Sequence, residues 1–290
     1  MLVSLKKILE IAEDRKIALG AFNASSLENL MAIIKAAEEL ELPVVIMFAQ
    51  CHEPWIPLKV IGPVVVQEAK KTKVPVCVQL DHGEDLEYLK DALDIGFTAI
   101  MYDGSKLSYE ENLENTKKAV ALAKQYGASV EAELGTMGKR EWGDGCGSGN
   151  GDRTKIYTDP VLAKEFVAET GIDALACSFG TTHGIYLTEP KLDFDVVKNV
   201  REMTGGIPVV MHGGSGVGRE DFYSSIKAGV RKINYFTYMD KTGGRACREY
   251  IESLEPGKQL FFSSVIRAAE AAMKEDVKNA MKKFAMIEEE

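Results

Sequence analysis

The chain has 290 residues, 46% of them hydrophobic, so it can bury a large core. Its formal net charge of −9 argues against nucleic acid or an anionic membrane as a main partner, because both would be repelled. No apolar run approaches the roughly 20 residues that a membrane helix needs. A small anionic metabolite stays compatible with a locally positive pocket, so we expect a small-molecule partner.

The cysteine pattern does not predict a disulfide framework. There is an odd number of cysteines and no CxxC pair, and two cysteines lie in strand-like runs where they act as small apolar residues. The segment 1–16 has helical spacing and mixed charge rather than the charged head and apolar block of a signal peptide. We therefore expect thiols and a cytoplasmic location. The five cysteines are Cys51, Cys77, Cys146, Cys177 and Cys247.

Short apolar runs alternate with amphipathic, helix-like stretches along the whole chain. Continuous apolar strands imply burial on both faces, and helical crossovers imply parallel pairing. Eight units predict an α/β protein, a single (β/α)8 TIM barrel domain over 1–290 in which 255–290 form a C-terminal helical extension. A doubly wound open sheet is the alternative, but FNASSLENL replaces its GxGxxG turn after the first run. The predicted strands are 16–23, 43–49, 75–81, 98–104, 129–135, 174–180, 208–214 and 232–237.

Three of the four histidines precede a glycine at the end of a predicted strand: His82, His183 and His212. In such a barrel the carboxyl ends of the strands converge on one mouth, so these residues should meet there. Three neutral imidazoles match the three-ligand, open-position arrangement of a catalytic zinc site. The alternative for each one is a hydrogen-bonded loop histidine, but the agreement of all three favours a metal. The fourth, His52, we interpret as structural or pocket-lining.

Acidic residues accompany these histidines. Asp81 directly precedes His82, where its carboxylate could exchange a proton with a substrate hydroxyl; a turn-capping role is the alternative. Glu131 and Glu133 share one face of the fifth strand by the period of two. Two carboxylates on one face of a barrel strand are costly unless they are paired or bind a cation.

Two glycine-rich stretches follow strands on the same rim. Residues 136–157 are either plain disorder or a lid that carries Glu141 over the substrate, and their place on the rim favours the lid. HGGSGVGRED after strand seven and NYFT in strand eight indicate an anion site. There glycine amides, Ser215, Thr237 and a helix N-terminus near Arg219 can hold a phosphate.

Many short motifs along the chain together resemble one known family. They are AFNASSLE, LDHG, GFTAIMYDGS, SVEAELGTMG, YTDP, GTTHGIY, LDFD, HGGSGV and KIN. This combination, spread over nearly the whole chain, resembles the class II, metal-dependent ketose-bisphosphate aldolases, including the fructose- and tagatose-bisphosphate enzymes. The resemblance implies a reversible cleavage of a ketose (bis)phosphate to dihydroxyacetone phosphate and an aldehyde, an activity of carbohydrate metabolism and glycolysis.

The resemblance also implies roles for single residues. Zn²⁺ or another divalent cation would polarise the ketone and stabilise an enediolate, with a monovalent cation as a further cofactor. Asp81 would exchange the proton of the hydroxyl at the cleaved bond, and Glu141 a proton at the enolisable carbon. Asn234 would orient the intermediate. A homodimer or homotetramer is usual. The implied metal ligands are His82, His183 and His212, with Glu133 as an alternative ligand, and the implied substrate and phosphate contacts are Asn23, Gly184, Gly213, Ser215, Asn234 and Thr237.

Three positions depart from the family pattern. Leu187 stands where a lysine or another polar residue is frequent, Phe236 where the fructose enzymes have an acid, and Ala49 where a small hydroxyl residue is common. The metal and proton-transfer groups are intact. We therefore expect the reaction type to be kept and the recognition of acceptor hydroxyls to differ from that for fructose 1,6-bisphosphate, because an apolar wall leaves hydroxyls unpaired.

Two other functions stay open from the sequence. One is a different metal-dependent barrel enzyme, a hydrolase or an epimerase, although the first strand lacks the HxH pair that such hydrolases often show. The other is a non-catalytic sugar-phosphate-binding protein, against which the intact Asp81, Glu141 and three histidines argue.

Overall fold

The computed structural model describes residues 1–135, 157–186 and 189–287. In this part of the chain, eight parallel strands close into a barrel in the order β1 to β8, with β8 paired to β1. Almost all strand residues are buried, as the continuous apolar runs predict. The predicted (β/α)8 barrel is confirmed. The strands are β1 (Leu19–Asn23), β2 (Val44–Ala49), β3 (Val76–Gly83), β4 (Ala99–Tyr102), β5 (Ser129–Leu134), β6 (Ala174–Cys177), β7 (Val209–Met211) and β8 (Val230–Tyr235).

Helices surround the barrel, and several have sequence-encoded ends. In the fifth, the Ser108 hydroxyl accepts from the amide of Glu111, whose carboxylate accepts from Ser108, and Gly127 ends the helix with a positive φ of 65°. A short 3₁₀ helix, Gln50–His52, follows β2. The α-helices are α1 (Leu5–Arg15), α2 (Leu27–Leu40), α3 (Leu58–Lys71), α4 (Leu86–Ile95), α5 (Tyr109–Tyr126), α6 (Pro160–Thr170), α7 (Phe194–Met203), α8 (Arg219–Ala228), α9 (Thr237–Glu252) and α10 (Phe262–Phe284).

The carboxyl-terminal region is helical, as predicted. The helix α10 packs against α9 and α2. Its last residue, Phe284, is fully buried and packs edge-on against Phe222 and Tyr235. No helix in the described part of the chain combines the length and apolarity needed to cross a membrane.

The barrel interior is apolar at one end and polar at the other. The helix α1 buries Leu5, Ile8 and Leu9 in a cluster with the first interior residues of several strands, so it closes the amino-terminal end. Polar side chains then occupy the strands toward the carboxyl ends. The polar, carboxyl-terminal end is the one at which a barrel of this kind carries its chemistry.

Several strand ends differ from the prediction. The strands β6 and β7 stop early, at Cys177 and Met211, because the chain turns out of the sheet toward Gly180 and Gly213, both of which have positive φ. The prediction placed Thr237 in the eighth strand, but that strand ends at Tyr235 and Thr237 is the first residue of α9. The apolar character of the run cannot separate a strand end from a helix start.

Glu13 on α1 holds the amino-terminal end of the barrel together. Its carboxylate pairs with Arg201 of α7 and, at 2.9 Å, with Nε of Arg231 in β8. Burial raises the carboxyl pKa, but the two guanidinium groups outweigh it and the net pKa lies below the ordinary 4.5. The ionised form therefore stabilises the fold.

We expect Glu13→Gln to lower the free energy of unfolding by about 1–3 kcal/mol at pH 7, because it leaves a buried guanidinium poorly paired. A lowered folded-state pKa means that this contribution is present above the ordinary pKa and is lost as the pH falls below it. Urea unfolding of both proteins from pH 7 down to pH 4 measures the difference. The exposed Glu10→Gln is the control, and a pH-independent difference would contradict this account.

Candidate metal and substrate site

Three histidines from distant parts of the chain meet at the mouth of the barrel. His82 lies in β3, His183 in the loop after β6, and His212 directly after β7. One ring nitrogen from each lies within 4.8 Å of the others, and the ring centroids are 4.8–5.7 Å apart. The geometry brings together the three residues that the sequence predicts to meet.

The orientation of His82 is fixed by its backbone and by Asp103. The register between β3 and β4 shifts between Leu80 and Gly83, and His82 adopts a left-handed φ of 49°. Its Nδ1 lies 2.7 Å from Oδ2 of Asp103, whose other oxygen accepts from the amide and hydroxyl of Ser105. The Nε2 of His82 is thereby left to face the other two histidines.

Three buried atoms in this cluster have no hydrogen-bond partner among the described residues: Nε2 of His82, Nδ1 of His212 and Oε2 of Glu133. The Glu133 oxygen lies 3.2 Å from Nδ1 of His212, but the angles do not make a hydrogen bond. Leaving such atoms unpaired is costly. Imidazole nitrogens and a carboxylate oxygen are ligands that suit a divalent transition metal, so this donor set fits one.

A buried charge network lies beneath the histidines. Nε2 of His212 is 2.9 Å from Oε1 of Glu131, and Oε2 of Glu131 accepts from Lys232 and Gln79, both at 2.9 Å. Burial would raise the Glu131 carboxyl pKa, but Lys232 and His212 hold it far below its ordinary value. Glu131 is therefore ionised and fixes the His212 tautomer with Nδ1 toward the cluster.

This environment shifts the pKa values of His82 and His183 in opposite directions. Burial disfavours the charged form of His82, but Asp81 and Asp103 outweigh it and raise its pKa to about 10. Burial, together with His82 and His212, lowers the pKa of His183 to about 3. A cation bound here has to displace a proton from His82, so binding should weaken as the pH falls.

Asp81 lies beside the histidine cluster and is held by two asparagines. Asn23 donates to its Oδ2 at 3.1 Å, and Asn234 donates to its Oδ1 at 3.2 Å. Burial would raise the pKa of this carboxyl, but His82, His212 and Lys232 keep it below its ordinary value. An ionised, oriented carboxylate at a cavity wall can accept a proton from a ligand.

The predicted anion-binding residues line the same cavity. Gly184, Gly213, Ser215 and Thr237 border it together with Asn23, Asp81, His82, His183 and Asn234. Thr237 opens α9, a helix of 16 residues whose N-cap residue, Phe236, makes no side-chain cap; the hydroxyl of Ser215 accepts from the amide of Tyr238 in its first turn at 3.4 Å. Backbone amides at such an end carry a partial positive charge that suits an anion.

Of the remaining predicted residues, two lie outside the described part of the chain and one lines the cavity. Glu141 and Leu187 lie outside the described residues. His52, interpreted as structural or pocket-lining, does line the cavity.

Cys51 is disulfide-bonded, so the expectation of thiols was wrong at this position, whereas Cys77, Cys177 and Cys247 are free.

The sequence analysis did not predict two side chains that the structure places in the site, Asp103 and Lys232. Asp103 follows the fourth strand on the same rim as His82, so its position at a strand end was a usable signal. Lys232 precedes Asn234 by two residues and therefore shares its inward face. A fully buried lysine in a strand pattern is unusual enough to mark a polar interior.

The barrel fold and the histidine cluster at its carboxyl-terminal end are typical of one class of protein, the (β/α)8-barrel enzymes that bind a metal. The sequence model of one family, described as "Fructose-bisphosphate aldolase class-II", matches residues 3–289. The chain belongs to the class II fructose-bisphosphate aldolase family, as the resemblance of its motifs predicted. It is thus an aldolase of the metal-dependent class, a carbon–carbon lyase.

Individual relatives agree with this assignment. A probable fructose-bisphosphate aldolase of Bacillus subtilis is 37% identical over 290 residues, which cover 98% of this chain and 97% of the relative. A fructose-bisphosphate aldolase of Staphylococcus aureus is 36% identical over 292 residues, with the same coverage of both chains. The crystal structure of the YdjI aldolase from Escherichia coli K12 superposes with a TM-score of 0.85 at 33% identity, covering 98% of this chain and 97% of that one.

Proposed function

We propose that this aldolase reversibly cleaves a ketose phosphate to dihydroxyacetone phosphate and an aldehyde, with Zn²⁺ as its metal. The observation that carries the proposal is the cluster of three histidine nitrogens, two of whose residues, His82 and His183, line one cavity with the ionised Asp81. The family relationship supports aldol chemistry rather than a hydrolase or epimerase reaction.

We assign the metal to His82, His183 and His212, with Glu133 as an alternative ligand. The unpaired ring nitrogens of His82 and His212 and the unpaired oxygen of Glu133 support this assignment. A divalent cation bound there would supply Lewis acidity, which polarises the ketone and stabilises negative charge on the donor half of the substrate, the half that becomes dihydroxyacetone phosphate. A monovalent cation, as the resemblance implies, would be a further cofactor.

We assign the proton transfer at the cleaved bond to Asp81. In the cleavage direction its carboxylate takes the proton of the substrate hydroxyl, and in the condensation direction it returns that proton. Its low pKa and its two asparagine donors support a base with a fixed orientation. Asn234 also orients the donor half, and Glu141 exchanges the proton at the enolisable carbon, as the resemblance implies.

The phosphate of the donor half is assigned to the loops after β7 and β8. Gly213 has a φ of 65°, and an added Cβ would lie only 2.4 Å from the carbonyl oxygen of Thr182. The loop after β7 can therefore pack closely against the loop after β6 only because this residue is glycine. Ser215, Gly184 and the amino end of α9 border the same space.

Proton exchange of dihydroxyacetone phosphate in deuterated water tests the donor half directly. With zinc-loaded protein we expect stereospecific loss of one C1 proton signal by NMR. Asp81→Asn should keep this exchange but lose about 10²–10⁴-fold in cleavage rate, because only the hydroxyl proton is affected. Glu141→Gln should lose the exchange itself.

The outcomes separate the alternatives. Zinc-loaded protein that shows no exchange would contradict the proposed donor and favour a different metal-dependent reaction or a binding protein. Equal losses of exchange and cleavage in Asp81→Asn, with the zinc content intact, would contradict the role of Asp81 alone.

Removal of the Asp103 carboxylate tests the metal assignment. We expect Asp103→Asn to weaken zinc binding by about 10–100-fold, because the carboxylate fixes the tautomer of a ligand histidine. Competition with a chelator and metal analysis give the affinity, and circular dichroism reports the fold. Ser105→Ala, which keeps the carboxylate, should lose less. Unchanged affinity in Asp103→Asn would show that His82 is not a ligand oriented by Asp103.

We also propose self-association through an exposed apolar patch, defined here as Ile251, Leu260, Phe261 and Phe262. These residues are 46–79% exposed and lie between the last turn of α9 and the first residue of α10, and exposed apolar surface of this kind marks interaction sites. A homodimer or homotetramer agrees with the resemblance. The cytoplasmic location and a place in glycolysis remain expectations from the sequence.

Phe262→Asp should shift the oligomer to smaller species, because it places a charge at the most exposed residue of the patch. Light scattering after size-exclusion chromatography measures the mass. Val60→Asp, at another exposed apolar residue on α3, is the control and should leave the mass unchanged. An unchanged mass in Phe262→Asp would exclude this patch as the interface.

A further inference from the structure

We propose that His52 recognises the aldehyde half of the substrate, by hydrogen-bonding a hydroxyl group of an acceptor that carries no phosphate. The inference rests on the proposed aldolase function and names the acceptor class for the same site. His52 lines the cavity that Asp81, His82 and His183 also line.

The His52 ring is buried, with nitrogens that no described residue binds. The residue is 1% exposed, and neither ring nitrogen has a hydrogen-bond partner in the described part of the chain. Buried polar groups are normally paired, so an unpaired one at a cavity wall points to a ligand. Burial lowers the pKa to about 4, so the ring is neutral and offers one donor and one acceptor. A hydroxyl group complements both.

Contacts that do not use these nitrogens fix the ring. It stacks on Trp55 with centroids 4.6 Å apart, and the Phe236 ring lies 4.8 Å away. The preceding Gln50 anchors the turn because its side-chain oxygen accepts from the amide of Glu84 at 2.9 Å. The imidazole is therefore oriented in advance, while its polar atoms stay available.

The charges around His52 disfavour a phosphorylated acceptor. Among the described residues that line the cavity there is no lysine or arginine. Trp55 also borders a neighbouring groove of about 400 Å³, where Glu28 adds negative charge. A phosphate dianion beyond His52 would face Asp81 and Glu28 with no lysine or arginine among the described residues that line the cavity and the groove, whereas hydroxyl groups would not be repelled. The aromatic rings also suit the apolar face of a polyhydroxyl chain.

Condensation of dihydroxyacetone phosphate with three small aldehydes tests the inference. The acceptors are D-glyceraldehyde, D-glyceraldehyde 3-phosphate and propionaldehyde, which has no hydroxyl. We expect the wild type to prefer D-glyceraldehyde over its phosphate by at least about tenfold in kcat/KM. His52→Phe, which keeps the stacking, should lose about 10–100-fold with D-glyceraldehyde. With propionaldehyde, His52→Phe should show no such loss. With D-glyceraldehyde, His52→Gln should recover part of the activity that His52→Phe loses.

Two controls make the result specific. Tyr88→Phe removes the hydroxyl that donates to Glu53 on the outer side of the same turn, and it should behave like the wild type. Proton exchange of dihydroxyacetone phosphate by the wild type is measured first, because its absence would contradict the proposed function itself. With exchange present, preference for the phosphorylated triose, or an equal loss with all three aldehydes in His52→Phe, would overturn the role of His52.

Discussion

The site depends on one buried ammonium group. Lys232 is fully buried, and its Nζ donates to Glu131 at 2.9 Å and to Asn234 at 2.7 Å. The first contact keeps Glu131 ionised, so that it can orient His212. The second holds Asn234, which in turn donates to Asp81. A single charge thus links the candidate metal cluster to the candidate proton-transfer carboxylate. Without it, a buried carboxylate would be left uncompensated at the centre of the barrel.

The local pattern of the sequence was enough to predict the barrel and the meeting of the three histidines. Each histidine follows or ends a strand, and parallel strands of a barrel share one mouth, so no long-range information was needed. The partners were harder to predict. Lys232 and Glu131 are 101 residues apart, and their contact depends on how the closed barrel sets its register. The period of two gives the inward face of a strand but not the residue opposite. The bulge that turns His82 is likewise a tertiary effect.

Close backbone packing joins the histidine cluster to the candidate phosphate site. Gly213 follows His212, and its missing Cβ allows contact with Thr182, which precedes His183. The Tyr186 hydroxyl bridges these two loops, since it donates to the carbonyl of Gly213 and accepts from the amide of Thr182. Two histidines are therefore positioned by the same backbone that borders the anion site. A side chain at position 213 would move both loops at once.

The two halves of the cavity differ in how tightly their residues constrain one another. On the donor side, the side chains of Asp81, Asn234 and Lys232 share hydrogen bonds, so replacing one leaves another unpaired in a buried setting. On the acceptor side, His52, Trp55 and Phe236 touch through aromatic faces, and the nitrogens of His52 belong to no internal network among the described residues. Aromatic packing tolerates substitution better than a shared charge does. On the proposed function, acceptor specificity can therefore change at His52 and Phe236 while the metal cluster and the proton-transfer carboxylate stay intact.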